Sequence, residues 1–171
     1  MKNKATKLEQ VPPDKGYYIA GFVDGEGSFY ISARKRKDYS SGWKFTVHFN
    51  VSNADIAVLQ VCKKYLGCGE IREPRPGFYV LEVTDKQKLK TFIVPFFKKF
   101  GFLSNKKKAE FRIFQQALQA LEGVIRSETE LHDFLVLRQK LNEFRKTRIT
   151  HVDAIILESF KFVQESSETI R

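Results

Sequence analysis

Cysteine, histidine and long apolar runs are all scarce in this chain, and each scarcity excludes something. The two cysteines, Cys62 and Cys68, lack a Cys-x-x-Cys spacing and have no histidine nearby. Neither a zinc site nor a disulfide framework is therefore expected, and both read as small buried residues of a reducing compartment. The three histidines form no cluster. No run of 18 apolar residues exists, so no membrane span is expected. Lys2, Lys4 and Lys7 precede no apolar stretch and do not read as a signal peptide. The expected location is intracellular, with nothing to separate an organelle from a prokaryotic cytoplasm.

Acidic residues are also in short supply, 20 against 30 basic ones, giving a net charge of +10 and a pI near 9.6. That balance points to a polyanionic partner, nucleic acid before an anionic membrane surface. With 171 residues, 42% of them hydrophobic, the chain can bury one full core. It reads as a basic, flexible N-terminal arm over 1–13 followed by a single domain over 14–171.

Pro12-Pro13 ends the arm, and Asp14 is the expected cap of a helix running to about Gly25. Alternation follows. Phe29, Ile31 and Ala33 share one face of a strand over 28–36, and Phe45, Val47, Phe49 and Val51 share one face of a strand over 44–52, so the two form a hairpin. Helical periodicity returns over 54–66, capped by Ser52 or Asn53 and stopped by Gly67. A shorter hairpin over 70–84 turns at Pro74-Arg75-Pro76-Gly77. Further helices are expected over 86–99, interrupted at Pro95, over 104–122, from the capping box Ser127-x-x-Glu130 to about Lys146, and over 151–165.

The most informative stretch is Tyr18-Ile19-Ala20-Gly21-Phe22-Val23-Asp24-Gly25-Glu26-Gly27. On a helix Gly21 stacks with Gly25 and Ala20 with Asp24, leaving a small-residue face that a second backbone can approach closely. Each glycine costs the helix about 1 kcal/mol relative to alanine, so something other than propensity asks for it. Asp24 and Glu26 cannot point the same way, so one serves the helix end and the other projects from its tip. The plain alternative is an apolar helix with a glycine cap and solvated acids.

The polar strand faces carry a second signal. Ser32, Arg34, Arg36, Lys44, Thr46, His48 and Asn50 project from one side of a ribbon that fits the major groove, with arginine suited to guanine, asparagine to adenine and serine or threonine to either. Arg72 and Arg75 extend that surface. Eight lysines and no acid lie between residues 86 and 108, ending in Lys106-Lys107-Lys108. Lysines at a helix start oppose the macrodipole, so these are expected to meet phosphate.

Residues 19–27 resemble the LAGLIDADG motif of homing endonucleases, and the helix, hairpin, helix, hairpin, helix order extends the resemblance. It implies an α+β fold, α-β-β-α-β-β-α with extra C-terminal helices and saddle-shaped antiparallel sheets. It also implies site-specific, metal-dependent double-strand cleavage of a long pseudo-palindromic DNA target, with Mg²⁺ or Mn²⁺ as cofactor and no other small molecule. Glu26 takes the place of the final metal-binding acid, Glu where Asp is more usual, and Gly25 the place whose carbonyl also faces the metal. Lys106, with Lys107 as fallback, takes the place of a basic residue near the scissile phosphate, and Asn53 that of a polar side chain ordering water. One motif copy implies a homodimer joined through Ala20, Gly21, Asp24 and Gly25. The absence of a splicing-domain signature favours an intron-encoded enzyme. A non-catalytic RNA maturase or DNA-binding regulator on the same fold is the alternative, and loss of the acids would mark it.

Overall fold

The computed structural model describes residues 8–145 and 153–162. Helix α1 (Pro13–Glu26) leads into strand β1 (Gly27–Lys35), followed by β2 (Trp43–Asn53), α2 (Ile56–Leu66), β3 (Glu70–Arg75) and β4 (Phe78–Val83). A helical stretch then runs through α3 (Lys86–Lys88), a π-turn (Leu89–Ile93) and α4 (Val94–Phe100), before α5 (Asn105–Ala120), α6 (Glu128–Glu143) and α7 (Asp153–Ser159). The four strands form one antiparallel sheet in the order β1-β2-β4-β3. Among the described residues no helix is long and apolar enough to cross a membrane.

The strand alternation works as the sequence asks. Phe29, Ile31, Ala33, Val47, Phe49 and Val51 are buried on one face of the sheet, and the helices cover that face with aromatics. Phe29 packs against Phe49, Phe97, Phe102, Phe111 and Phe114, with ring centroids 4.6 to 6.2 Å apart. Burying one such side chain contributes about 2–3 kcal/mol. Both cysteines are buried in this core, which pushes the thiol of Cys62 up to about 11 and that of Cys68 to about 12. Gly16 sets how closely α1 approaches α4, because a Cβ there would lie 2.1 Å from the Phe100 ring.

Several local expectations need correction. Pro13 opens α1, where its fixed φ suits the first turn. Asp14 is therefore not the cap but an exposed first-turn acid paired with Lys15 at 3.2 Å. Residues 1–7 of the expected arm lie outside the described residues, while Leu8–Gln10 form a 3-10 turn and Val11 is buried, so the packed chain begins before residue 14. Helix α2 is capped by Asp55, whose carboxylate accepts from the Ala57 amide at 2.8 Å. Asn53 instead spends its side-chain oxygen on the Asp55 amide at 2.7 Å. Ahead of Pro95 the backbone widens into the π-turn, in which the Val94 amide reaches back to Leu89. A π-turn relieves the proline ring of its clash with the preceding turn. The second hairpin turns at Pro76-Gly77 alone, with Gly77 at φ +71°. Pro74 is tolerated because β3 is an edge strand. Helix α6 opens on Ser127, whose hydroxyl accepts from the Glu130 amide at 3.1 Å, but Glu130 reaches back to the amide of Arg126. The last helix ends at Ser159, and its expected extension over 163–165 lies outside the described residues.

Candidate active site

The end of α1 concentrates negative charge. The last carbonyls of a helix have no intrahelical partner and carry the negative end of its dipole. The chain turns extended at Gly27, and the amide of Phe29, four residues beyond Gly25, is donated to Glu110 Oε1 at 2.8 Å. Glu26 adds an exposed carboxylate at this point, and it makes no hydrogen bond or ion pair with another described residue. A carboxylate at a helix C-terminus is unfavourable by a few tenths of a kcal/mol or more, and no described side chain pairs with this one.

Asp24, two residues earlier, is fully engaged. Its Oδ2 accepts the amides of Leu103 and Ser104, each at 2.9 Å, and its Oδ1 accepts the Ser104 hydroxyl. Burial alone would raise this carboxyl, but the Ser104 and Leu103 hydrogen bonds prevail and hold it below the usual carboxylate range. Ser104 in turn caps α5 through the Lys107 amide at 3.1 Å. Asp24 thus fastens the tip of α1 to the start of α5 within one chain. Ala20 is likewise buried in the chain's own core. Of the four residues expected at a dimer interface, only Gly21 and Gly25 are open, a Cβ at either meeting nothing within 4 Å.

A cleft of about 350 Å³ opens beside Glu26, lined by Gly25, Ser28, Asn50, Ser52, Lys106, Phe144 and Arg145 among others. Ser28 Oγ is buried there without a partner among the described residues. Asn53 does not line the cleft; Asn50 and Ser52, earlier on β2, do. Of the three consecutive lysines, Lys106 and Lys108 are exposed. Lys107 is buried, its ammonium bound to the Gly27 carbonyl at 2.5 Å and to Glu110 Oε2 at 2.7 Å. The fallback assignment is therefore wrong: Lys107 holds the cleft together from beneath, with no open ammonium for a phosphate. Gly25 and Glu26 supply hard oxygens of the kind magnesium takes. Among the described residues no three His, Cys, Asp or Glu side chains gather to hold an ion.

The polar face of the sheet is organised around Glu82, which the weak alternation of β4 concealed. Glu82 Oε1 accepts the Tyr30 hydroxyl at 3.1 Å and lies 3.0 Å from His48 Nδ1, while Oε2 binds the guanidinium of Arg72. Burial works against this carboxylate, but hydrogen bonds from His48 and Tyr30 and the Arg72 charge hold it below its ordinary value. His48 stacks on Tyr30 with centroids 4.2 Å apart, its Nε2 lies 2.8 Å from Ser32 Oγ, and Arg145 covers the Tyr30 ring at 3.8 Å. Burial lowers the imidazole and, together with Glu82, pushes the Tyr30 phenol up to about 12. His48 is thus a buried organiser with both nitrogens occupied and no free contact for a base. Ser32, His48 and Glu82 follow the order of nucleophile, base and orienting acid. The Phe29 amide is donated to Glu110, however, so by alternation that of Ser32 points into the β1–β2 ladder opposite Thr46.

Among the other expected base contacts, Arg36 gives two guanidinium nitrogens to Asp38, at 2.7 and 2.6 Å. Arg75 lies 4.5 Å over Phe78. Arg34 and Arg72 are exposed, and Lys44, Thr46 and Asn50 are half-buried on the same face.

A family model described as LAGLIDADG endonuclease matches residues 19–118. The chain is 30% identical over 130 residues, 73% of its own length, to the probable intron-encoded endonuclease 2 of Neurospora crassa, covering 28% of that protein. It is 24% identical over 132 residues to the probable intron-encoded endonuclease Cox1-I1b of Schizosaccharomyces pombe, covering 34% of it. The chain thus spans about a third of the length of these relatives. Among solved structures, the archaeal intron-encoded homing endonuclease I-Vdi141I, complexed with DNA, superposes with a TM-score of 0.73 at 25% identity, over 85% of this chain and 92% of that one.

Proposed function

The chain belongs to the LAGLIDADG endonuclease family, and from that membership we propose that it is an intron-encoded homing endonuclease acting as a homodimer with a divalent cation. The observation that carries the proposal is the Glu26 carboxylate, exposed at the negative end of α1 and free of any described partner. The described residues offer one such acid, and in this reading a second copy supplies the other. The open Gly21 and Gly25 face, flanked by exposed Tyr17 and Tyr18 and by Leu103, which is 90% exposed, is the surface on which two α1 helices would pack.

In this reading Glu26 from each copy, with the neighbouring Gly25 carbonyl, would hold Mg²⁺ or Mn²⁺. The ion supplies neutralisation of charge that builds on the phosphate and the leaving oxygen. Lys106 adds a mobile positive charge on the phosphate side of the cleft. Asn50, Ser52 and Ser28 orient the attacking water by hydrogen bonds, the role expected of Asn53. Asp24 and the Lys107–Glu110 pair keep the α1 tip and the α5 start in register, so that these groups meet the same phosphate. Arg34, Arg72, Thr46 and Lys44 face the major groove, and Lys108 the backbone. The structural similarity to an enzyme complexed with DNA supports DNA as the partner.

The test is incubation with a plasmid bearing the uninterrupted host gene, with and without Mg²⁺. The expected result is one staggered double-strand break that chelation abolishes. Tight, sequence-specific binding without cleavage at any divalent ion would instead support the non-catalytic alternative.

A further inference from the structure

On sequence alone Ser32 can read any base, because a hydroxyl both donates and accepts. The network around Glu82 removes that freedom. An ionised carboxylate only accepts hydrogen bonds, so the proton between His48 Nδ1 and Glu82 Oε1, 3.0 Å apart, belongs to Nδ1. A neutral imidazole with its proton on Nδ1 can only accept at Nε2. The Ser32 hydroxyl, 2.8 Å from Nε2, must therefore donate to it, and Ser32 Oγ is left with lone pairs alone. Burial keeps His48 neutral against the Glu82 carboxylate on β4, which favours a second proton, and the positive charges of Arg145 beyond α6 and Arg34 on β1 act in the same sense as burial. The same acid holds the neighbouring Arg72 guanidinium, which presents only donors.

We propose that the Glu82–His48–Ser32 relay sets the hydrogen-bond polarity of the reading face, making Ser32 an acceptor-only contact that selects bases with a major-groove amino group. Those bases are adenine, through N6, and cytosine, through N4; guanine and thymine offer acceptors where Ser32 would need a donor. Ser32 is the specificity-determining contact, and His48 and Glu82 are positioning residues that act through it. This inference rests on the DNA-recognition reading of the sheet.

The experiment is selection of bound duplexes from a randomised library by the wild type, Ser32→Ala and His48→Phe, which keeps a ring on Tyr30 but removes the acceptor. Ser32→Ala locates the base position that Ser32 reads. There the wild type should favour an amino base about fivefold over a keto base, as one hydrogen bond allows, and His48→Phe should reduce that preference below about twofold at the same position. A keto preference, a preference that survives His48→Phe, or effects at unrelated positions would overturn the inference. Enrichment of no sequence by the wild type would remove the DNA-recognition reading and this inference with it. Independently of folding of the variant or of any DNA, the long-range ¹H–¹⁵N spectrum of the wild type should show His48 neutral with its proton on Nδ1. A proton on Nε2 would overturn the inference on its own.

Discussion

Two acids define two regions of this molecule, and they are treated in opposite ways. Glu82, on the polar face of the sheet, is met by Tyr30, His48 and Arg72 and is nearly buried. Glu26, at the tip of α1, is exposed and has no described partner, although Asp24 and the Lys107–Glu110 pair hold the backbone around it rigidly. A charge that organises other side chains is satisfied internally. The Glu26 carboxylate is left open beside backbone that Asp24 and Lys107 fasten by hydrogen bonds.

That contrast can be broken at the scaffold first. Lys107→Met leaves the Glu110 carboxylate buried without its cation, and removing one partner of such a pair costs about 3–5 kcal/mol. Thermal or denaturant unfolding measures it. A loss below about 1 kcal/mol would show that Lys107 is free to leave the scaffold.

Gly21→Leu should leave the monomer fold intact, since a Cβ there meets nothing in the same chain, while separating the two copies. Light scattering should then report monomers, and a stable dimer would place the interface elsewhere. Asp24→Asn should cost about 1–2 kcal/mol at neutral pH, the scale of a lost helix cap. Its carboxyl lies below the ordinary value in the folded chain, so its contribution is present above the unfolded pKa and is lost as pH falls through the folded one. The stability gap between wild type and variant should therefore close in acid below about pH 4, and an unchanged gap would remove Asp24 as the charged fastener.

The smallest change sharpens the contrast on DNA. Lys106→Ala should slow cleavage of every target alike, whereas Arg72→Ala should cost about 1–3 kcal/mol at one base position in each half-site. A panel of single-base target variants separates the two.

Much of this was legible in the chain. The alternation of 28–36 and 44–52 placed both strands of the first hairpin, because one buried face leaves a period of two in any half-buried strand. The motif stretch placed a helix whose end, at Glu26, lies beside the cleft. What escaped was side-chain partnering across distant elements. Nothing local to Lys107 separates it from Lys106 and Lys108; only the turn of α5 toward β1 buries it beneath the Gly27 carbonyl. His48 looked like one more polar tooth of the sheet because its partners, Tyr30 and Glu82, lie on two other strands. Asn53 falls at the right distance along the chain for the cleft, yet the turn into α2 claims its side chain.

The central claim, that Glu26 is an open acid awaiting a cation and Glu82 a satisfied one, is tested most directly by comparing Glu26→Gln and Glu82→Gln side by side in binding and cleavage with Mg²⁺. Glu26→Gln should bind target within a few-fold of wild type and cut at least about a thousandfold more slowly, the scale of losing a charge-stabilising group. Glu82→Gln should still cut its bound target while its base preference changes. A Glu26→Gln protein that cuts at near wild-type rate, or a Glu82→Gln protein that binds normally but cannot cut, would contradict the account.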